Sequence, residues 1–242
     1  MLGKMKKNPA LSIIIISKNE EKYLPILLES IKRQDFNDYE LILSDAGSTD
    51  KTRKIGKKYG CVIVDGGLPA KGRNLGARKA RGEYILFLDS DFCLPKNFLS
   101  SLMLYVARKD LGSAGMWCVP DSKNVIDYAV FFISNIFIKA LQRIHPRTFG
   151  CMLSRKDIFE KTGGFDEKII VGEDNDFILR TKNHGRYGVL TAPKVTASVR
   201  RFEREGRLIY FCKMLKAILY DFTGKKITND KDIKYDFSTS YK

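Results

Sequence analysis

Apolar and polar residues alternate along the first hundred positions in two textures. Four short runs, LSIIII (11–16), YELILSD (39–45), CVIVD (61–65) and YILFLDSD (84–91), are aliphatic and end in polar residues. Near-continuous apolar runs of this length mark strands of a parallel sheet buried on both faces. Between them Leu24, Leu27, Leu28 and Ile31 recur at helical spacing, with Pro25 suited to a first turn. STDKTRKIGKKYG (48–60) opens on Ser48 or Asp50 as a cap and closes on Gly60, and AKGRNLGARKARG (70–82) closes on Gly82. This β-α-β-α-β-α-β order predicts an α/β, doubly wound, mostly parallel sheet flanked by helices. Ligands are then expected at the carboxyl ends of its strands.

The second half is less regular. LGSAGMWCVP (111–120), FGCMLS (149–154), YGVL (187–190) and KVTASV (194–199) read as strands. DYAVFFISNIFIKALQRI (127–144) reads as a helix that is apolar on most faces, RKDIFEKTGGF (155–165) as a short helix stopped by two glycines, and GEDNDFILRTKNHG (172–185) as a helix ending at Gly185. A cationic amphipathic segment follows over 203–222. Its stripe of Leu208, Phe211, Leu215 and Leu219 reads either as packing or, with Arg204, Arg207, Lys213 and Lys216 beside it, as a face lying on an anionic membrane. The polar tail from Thr223 is expected to be loosely ordered. The organisation is therefore an N-terminal tail (1–9), a catalytic-size domain (10–200) divided near residue 92, and a C-terminal amphipathic helix with its tail (201–242).

Composition narrows the class. At 242 residues with 44% hydrophobic content the chain can bury a sizeable core. A formal net charge of +15 points to anionic company such as phosphorylated substrates or an acidic membrane surface. Without an aromatic platform or a recognition motif, nucleic acid is not expected. Five scattered cysteines, none spaced as C-x-x-C, argue against a disulfide framework or a zinc site and fit a reducing cytoplasm. MLGKMKKNPA has lysines but no apolar run behind them, so no signal peptide is expected, and the apolar stretch 129–141 falls short of a membrane span. The expected location is cytoplasmic, extending to the inner face of the membrane.

Four polar clusters carry the candidate chemistry. SKNEE after the first strand holds Ser17, Asn19 and Glu20. In SDAGSTD, Asp45 reads first as turn chemistry and second as a carboxylate that accepts from a base or a ribose. Asp89 and Asp91, flanking Ser90, are two residues apart after a buried strand. On a regular strand they share a face, and their hard oxygens suit Mg²⁺ or Mn²⁺. In GEDNDF the acids Glu173, Asp174 and Asp176 read as helix N-terminal residues or as a general base. Lys71 and Arg73, and Arg200 with Arg201, are candidates to clamp phosphate oxygens. His184 reads as a helix-terminus residue and His145 as a loop residue, while Trp117 reads as a core residue or a sugar-stacking one.

Taken together, LSIIIISKNEEKYLPILLESI, ELILSDAGSTDKT, AKGRNLGARKARGEYILFLDSD, GGFDE and GEDNDF occur in an order and spacing that resembles a family 2 glycosyltransferase with the GT-A, Rossmann-like fold. The resemblance covers about residues 10 to 200. It implies a nucleotide-binding half (about 10–92) and an acceptor-side half (about 93–200). It implies an inverting, metal-dependent transfer from a UDP- or GDP-linked donor to a saccharide or lipid-linked acceptor. It also implies that Asp45 binds the base, Arg73 lies near base and diphosphate, Asp89 lies near the ribose, Asp91 is the main ligand of Mg²⁺ or Mn²⁺, and Asp174 is the base with Glu173 beside it. One departure stands out. Many members place a metal-binding histidine near the end of the strand that here reads KVTASVRRF, where Ser198 and its neighbours stand instead. A nucleotide-sugar or membrane-surface binding module without transfer activity is the alternative.

Overall fold

The computed structural model describes residues 8–229 and residue 233. Its first half is the expected alternation: β1 (Leu11–Ser17), α1 (Leu24–Lys32), β2 (Tyr39–Asp45), α2 (Thr52–Lys58), β3 (Val62–Asp65), α3 (Pro69–Ala77) and β4 (Tyr84–Asp89). These strands pair in parallel in the order β3-β2-β1-β4. Alternate residues of β1 serve opposite layers. Ile13 and Ile15 pack with Leu24, Leu27, Leu28 and Ile31 of α1, whereas Ile14 packs with Ala70 and Ala77 of α3. Burial on both faces is why the run is aliphatic without alternation. The α3 contact is close: a Cβ on Gly76 would lie 2.5 Å from Ile14 Cγ2.

The second half adds β5 (Phe92–Cys93), α4 (Phe98–Lys109), β6 (Ser113–Asp121), α5 (Val125–Leu141), β7 (Met152–Arg155), α6 (Lys156–Thr162), α7 (Glu173–Thr181), β8 (Tyr187–Ser198), α8 (Arg200–Glu205) and α9 (Arg207–Phe222). The eight-stranded sheet runs β3-β2-β1-β4-β7-β6-β8-β5. Four of its pairings are parallel; β7 against β4 and β6, and β5 against β8, are antiparallel. The doubly wound α/β expectation therefore holds, with a reversed strand at the centre.

Several expectations need correction. Asp91 is not on the strand with Asp89: β4 ends at Asp89 and the chain turns through Ser90 and Asp91 into β5. YGVL and KVTASV form one strand, β8, whose pairing with β6 slips between Met116 and Cys118. Helix α4 was not expected, although its buried Phe98, Leu99, Leu102 and Val106 keep helical spacing. The C-terminal segment is two helices, broken where Gly206 takes φ +86. Its apolar stripe is not packed: Leu208 is 75% and Leu219 64% exposed. Part of the tail is anchored, because Ile227 and Ile233 are buried and Ile170 N–H donates to Ile227 O. The rest of that tail and residues 1–7 of the N-terminal one lie outside the described residues.

Candidate active site

Parallel register brings the polar ends of β1, β2 and β4 to one edge: Ser17 pairs with Asp45, and Ile16 with Asp89. A cavity of about 580 Å³ opens there, lined by Ser17, Glu20, Arg73, Asp89, Ser90 and Asp91 from this half. Glu173, Asp174, Arg200 and Arg201 close it from the other half. Two arginines, Arg73 buried and Arg200 half-buried, organise the carboxylates. Arg73 Nη2 donates to Asp89 Oδ1 at 2.8 Å, and its Nη1 donates to Glu173 Oε1. Arg200 donates to both oxygens of Glu20 at 2.7 and 2.8 Å and lies 3.0 Å from Asp91 Oδ2.

The charge states follow from burial and partners. Burial pushes the Glu20 carboxyl up to about 7 against the pull of Arg200. Burial also raises Asp89 and Glu173 while Arg73 works against it. Burial disfavours the Arg73 cation, but Asp89, Glu173 and Asp174 more than offset this and hold it charged. Arg201 is likewise held charged against burial, by Tyr210, Asp91, Asp89 and Glu20.

The remaining expected residues divide. Asp45 is buried beside the cavity, where it accepts from Ser48 N–H at 3.0 Å, from the Ser48 hydroxyl, and from Arg53 at 3.3 Å. Its turn role is thus present in the fold. Asn19 takes φ +52 and its Oδ1 accepts from Thr49 N–H, bracing β1's exit against the loop after β2. Lys71 is exposed on α3 and does not line the cavity. Asp174 Oδ2 accepts from Gly150 N–H at 3.0 Å, which places this carboxylate at the cavity wall.

Some residues of the wall were not anticipated. The loop before β7 contributes Arg147, Thr148, Phe149 and Gly150, and α9 contributes Tyr210 and Lys213. Gly150 takes φ +60, and a Cβ there would lie 2.9 Å from Asp89 Oδ2. Only the glycine itself hinted at this in the sequence. His184 is exposed at the end of α7, and His145 bonds Asp221 at 2.7 Å, so neither histidine lines the cavity. Trp117 donates to Asn135 O at 3.2 Å and serves the β6–α5 packing.

The family profile described as Glycosyl transferase family 2 matches residues 12–163, more than half of the chain. The chain belongs to glycosyl transferase family 2. Relatives within it include the poly(ribitol-phosphate) β-N-acetylglucosaminyltransferase TarS of Staphylococcus aureus, 34% identical over 105 residues. That match covers 39% of this chain and 18% of TarS. The uncharacterized glycosyltransferase MJ1057 of Methanocaldococcus jannaschii is 29% identical over 199 residues, covering 74% of this chain and 67% of the relative.

Solved structures agree in fold. TarS 1–349 in complex with UDP-GlcNAc superposes with a TM-score of 0.64 at 21% identity, over 78% of this chain and 58% of that one. The mannosyltransferase PcManGT from Pyrobaculum calidifontis, in complex with GDP-Man and Mn²⁺, gives 0.60 at 19% identity, over 80% and 57%. The expected GT-A architecture of this family 2 member is therefore present.

The donor set can be tested for a metal. Asp89 and Asp91 present hard oxygens at one wall, which fits Mg²⁺ or Mn²⁺ completing its shell from phosphates and water. Among the described residues no three His, Cys, Asp or Glu side chains converge to hold an ion by themselves. Ser198, in the segment where many members carry histidine, donates its backbone N–H to Asp91 O at 3.2 Å. From that same segment Arg200 brings a fixed positive charge to Asp91.

Proposed function

We propose that the chain transfers a sugar, with inversion, from a UDP- or GDP-linked donor to an oxygen of a saccharide or lipid-linked acceptor. The observation that carries this reading is the convergence of Asp89, Asp91 and Asp174 with Arg73 and Arg201 on one cavity at the carboxyl edge of the sheet. Solved neighbours of the same fold hold UDP-GlcNAc or GDP-Man with Mn²⁺, which supports a nucleotide-sugar donor.

In this reading Ser17 and Asp45 address the nucleoside at the ends of β1 and β2. Arg73 and Arg201 supply fixed positive charge where the diphosphate leaves. Asp89 and Asp91 hold Mg²⁺ or Mn²⁺, which when bound offsets charge on the departing diphosphate. Where the acceptor is a hydroxyl, Asp174 takes its proton as the new oxygen–carbon bond forms and the anomeric carbon–diphosphate bond breaks, its electron pair leaving with the nucleotide. Glu173, tied to Arg73, orients that arginine.

Assay of donor turnover with UDP- and GDP-sugars and Mn²⁺ tests this. Asp174→Asn is expected to cut transfer to a hydroxyl acceptor strongly and spare nucleotide binding, and Asp91→Ala to abolish the metal dependence of binding. Unchanged turnover in both variants would overturn the assignment. The Arg200–Asp91 ion pair favours one other reading, a nucleotide-sugar-binding module in which Asp91 is already neutralised. Donor binding with no product under any acceptor would support that reading instead.

A further inference from the structure

Helix α5 is inside out. The face it buries carries Asp127 and Asn135 beside Phe131 and Ile138. The face it exposes, at positions 125, 126, 128, 129, 132, 133, 136, 137 and 140, holds only Val, Ile, Tyr, Ala and Phe. A surface helix in water shows the reverse arrangement. Helix α9 also turns Leu208, Leu215 and Leu219 outward.

The two helices run side by side in the same direction. Arg207 at the start of α9 grips Asp127 at the start of α5 (2.8 Å), and Phe222 at the end of α9 meets Phe137 with ring centroids 6.1 Å apart. Between these two contacts the cavity continues from the carboxylates into an apolar slot. Its walls are Val130, Phe137 and Ile138 on α5, and Met214, Ala217 and Ile218 on α9. Arg201, Arg204 and Lys213 line the same cavity, the last two beside Glu205 at 3.9 and 2.6 Å.

We propose that the outer faces of α5 and α9 lie on an anionic lipid bilayer, and that the slot between them admits the hydrocarbon chain of a lipid acceptor with a phosphate-type head. Charge complementarity selects the bilayer. Lys123, Arg143 and Lys216 rim a face that carries no acid along α5, on a chain of net charge +15. Contiguous exposed apolar surface of this extent marks an interaction site. No helix among the described residues is long and apolar enough to cross a membrane, so contact is along the surface.

The acceptor assignment rests on the transferase reading above. The head would sit among Arg201, Arg204 and Lys213 with its anionic oxygen toward the donor. That oxygen forms the bond to the anomeric carbon while the carbon–diphosphate bond breaks. No proton need be removed, because the head is already ionised.

Two measurements on the full chain test the proposal. In flotation, the chain should rise with phosphatidylglycerol–phosphatidylcholine vesicles and far less with phosphatidylcholine alone. The triple exchange Leu208→Ser, Leu215→Ser, Leu219→Ser, all at exposed positions, should lower that binding by about tenfold or more while UDP or GDP binding stays unchanged. A photoactivatable long-chain alkyl phosphate should label α5 and α9 and be displaced by unlabelled long-chain alkyl phosphate but not by inorganic phosphate. Ala217→Trp, which fills the slot, should abolish this labelling and leave nucleotide binding intact.

Absence from both vesicle types, or self-association through this face in their place, would overturn the membrane assignment. Scattered labelling, or displacement by inorganic phosphate alone, would overturn the lipid acceptor. Loss of nucleotide binding by the unsubstituted chain would instead refute the transferase reading, so the two failures are distinguishable.

Discussion

Arg73 Nη2 donates to Asp89 Oδ1 at 2.8 Å, tying α3 to the last residue of β4. The same guanidinium reaches Glu173 at the start of α7, so one buried cation joins two carboxylates from opposite halves of the chain. Removing it strands both. Arg73→Met is expected to lower stability by about 3–5 kcal/mol, the cost of leaving a buried partner uncompensated. Urea unfolding reads this directly. Arg73→Lys keeps the charge but not the two-ended reach, and should recover only part of it.

Gly150 tests whether Asp89 must stay where it is. Gly150→Ala and Gly163→Ala both place an alanine at positive φ (+60 and +77), each at a cost of roughly 1–2 kcal/mol. Only at Gly150 does the added Cβ meet the Asp89 carboxylate; at Gly163 nothing lies within 4 Å. The two variants should lose similar stability in thermal unfolding. Only Gly150→Ala should lose donor turnover.

The clamp between α5 and α9 should be sensitive to acid. The hydrogen bonds from Arg207 hold the Asp127 carboxyl below its ordinary value, against the effect of burial. A depressed carboxyl contributes stability above its unfolded-state value, and that contribution is lost as pH falls through the folded one. Urea midpoints measured downward from about pH 5 should therefore drop faster for the natural chain than for Asp127→Asn. Equal slopes would mean that the ion pair contributes nothing.

Thiol reactivity should separate the cysteines by burial. Burial pushes Cys61 and Cys118 up to about 12 and raises Cys151 as well, so these thiols stay protonated at neutral pH. Cys212 is exposed on α9. A chromogenic disulfide reagent should modify Cys212 without denaturant and reach the three buried thiols only on unfolding. Vesicles that cover α9 should slow the Cys212 reaction.

Much of the nucleotide-side architecture was legible because it is local. Ile13, Ile14 and Ile15 announce a strand covered on both faces, and Gly60 closes α2 as expected, whereas α3 ends at Ala77, short of the expected Gly82. The reading failed where register or partners decide. Asp89 and Asp91 look like one face of one strand, but the chain leaves the sheet between them to begin β5, whose pairing with the distant β8 no local pattern announces. Leu208, Leu215 and Leu219 have the spacing of a packed stripe, and spacing cannot say which way a stripe faces.

Sequence alone determined the α/β alternation, the family and the set of carboxylates and arginines, because apolar periodicity and motif order are written along the chain. Tertiary structure decided which of those charges meet. Arg73 reaches Glu173 a hundred residues away, and Arg200 reaches Glu20 across a hundred and eighty. It also decided that α5 turns its apolar face outward, since Asp127 is buried against Arg207 of α9 and Asn135 against Cys118 of β6, which leaves the hydrocarbon outside.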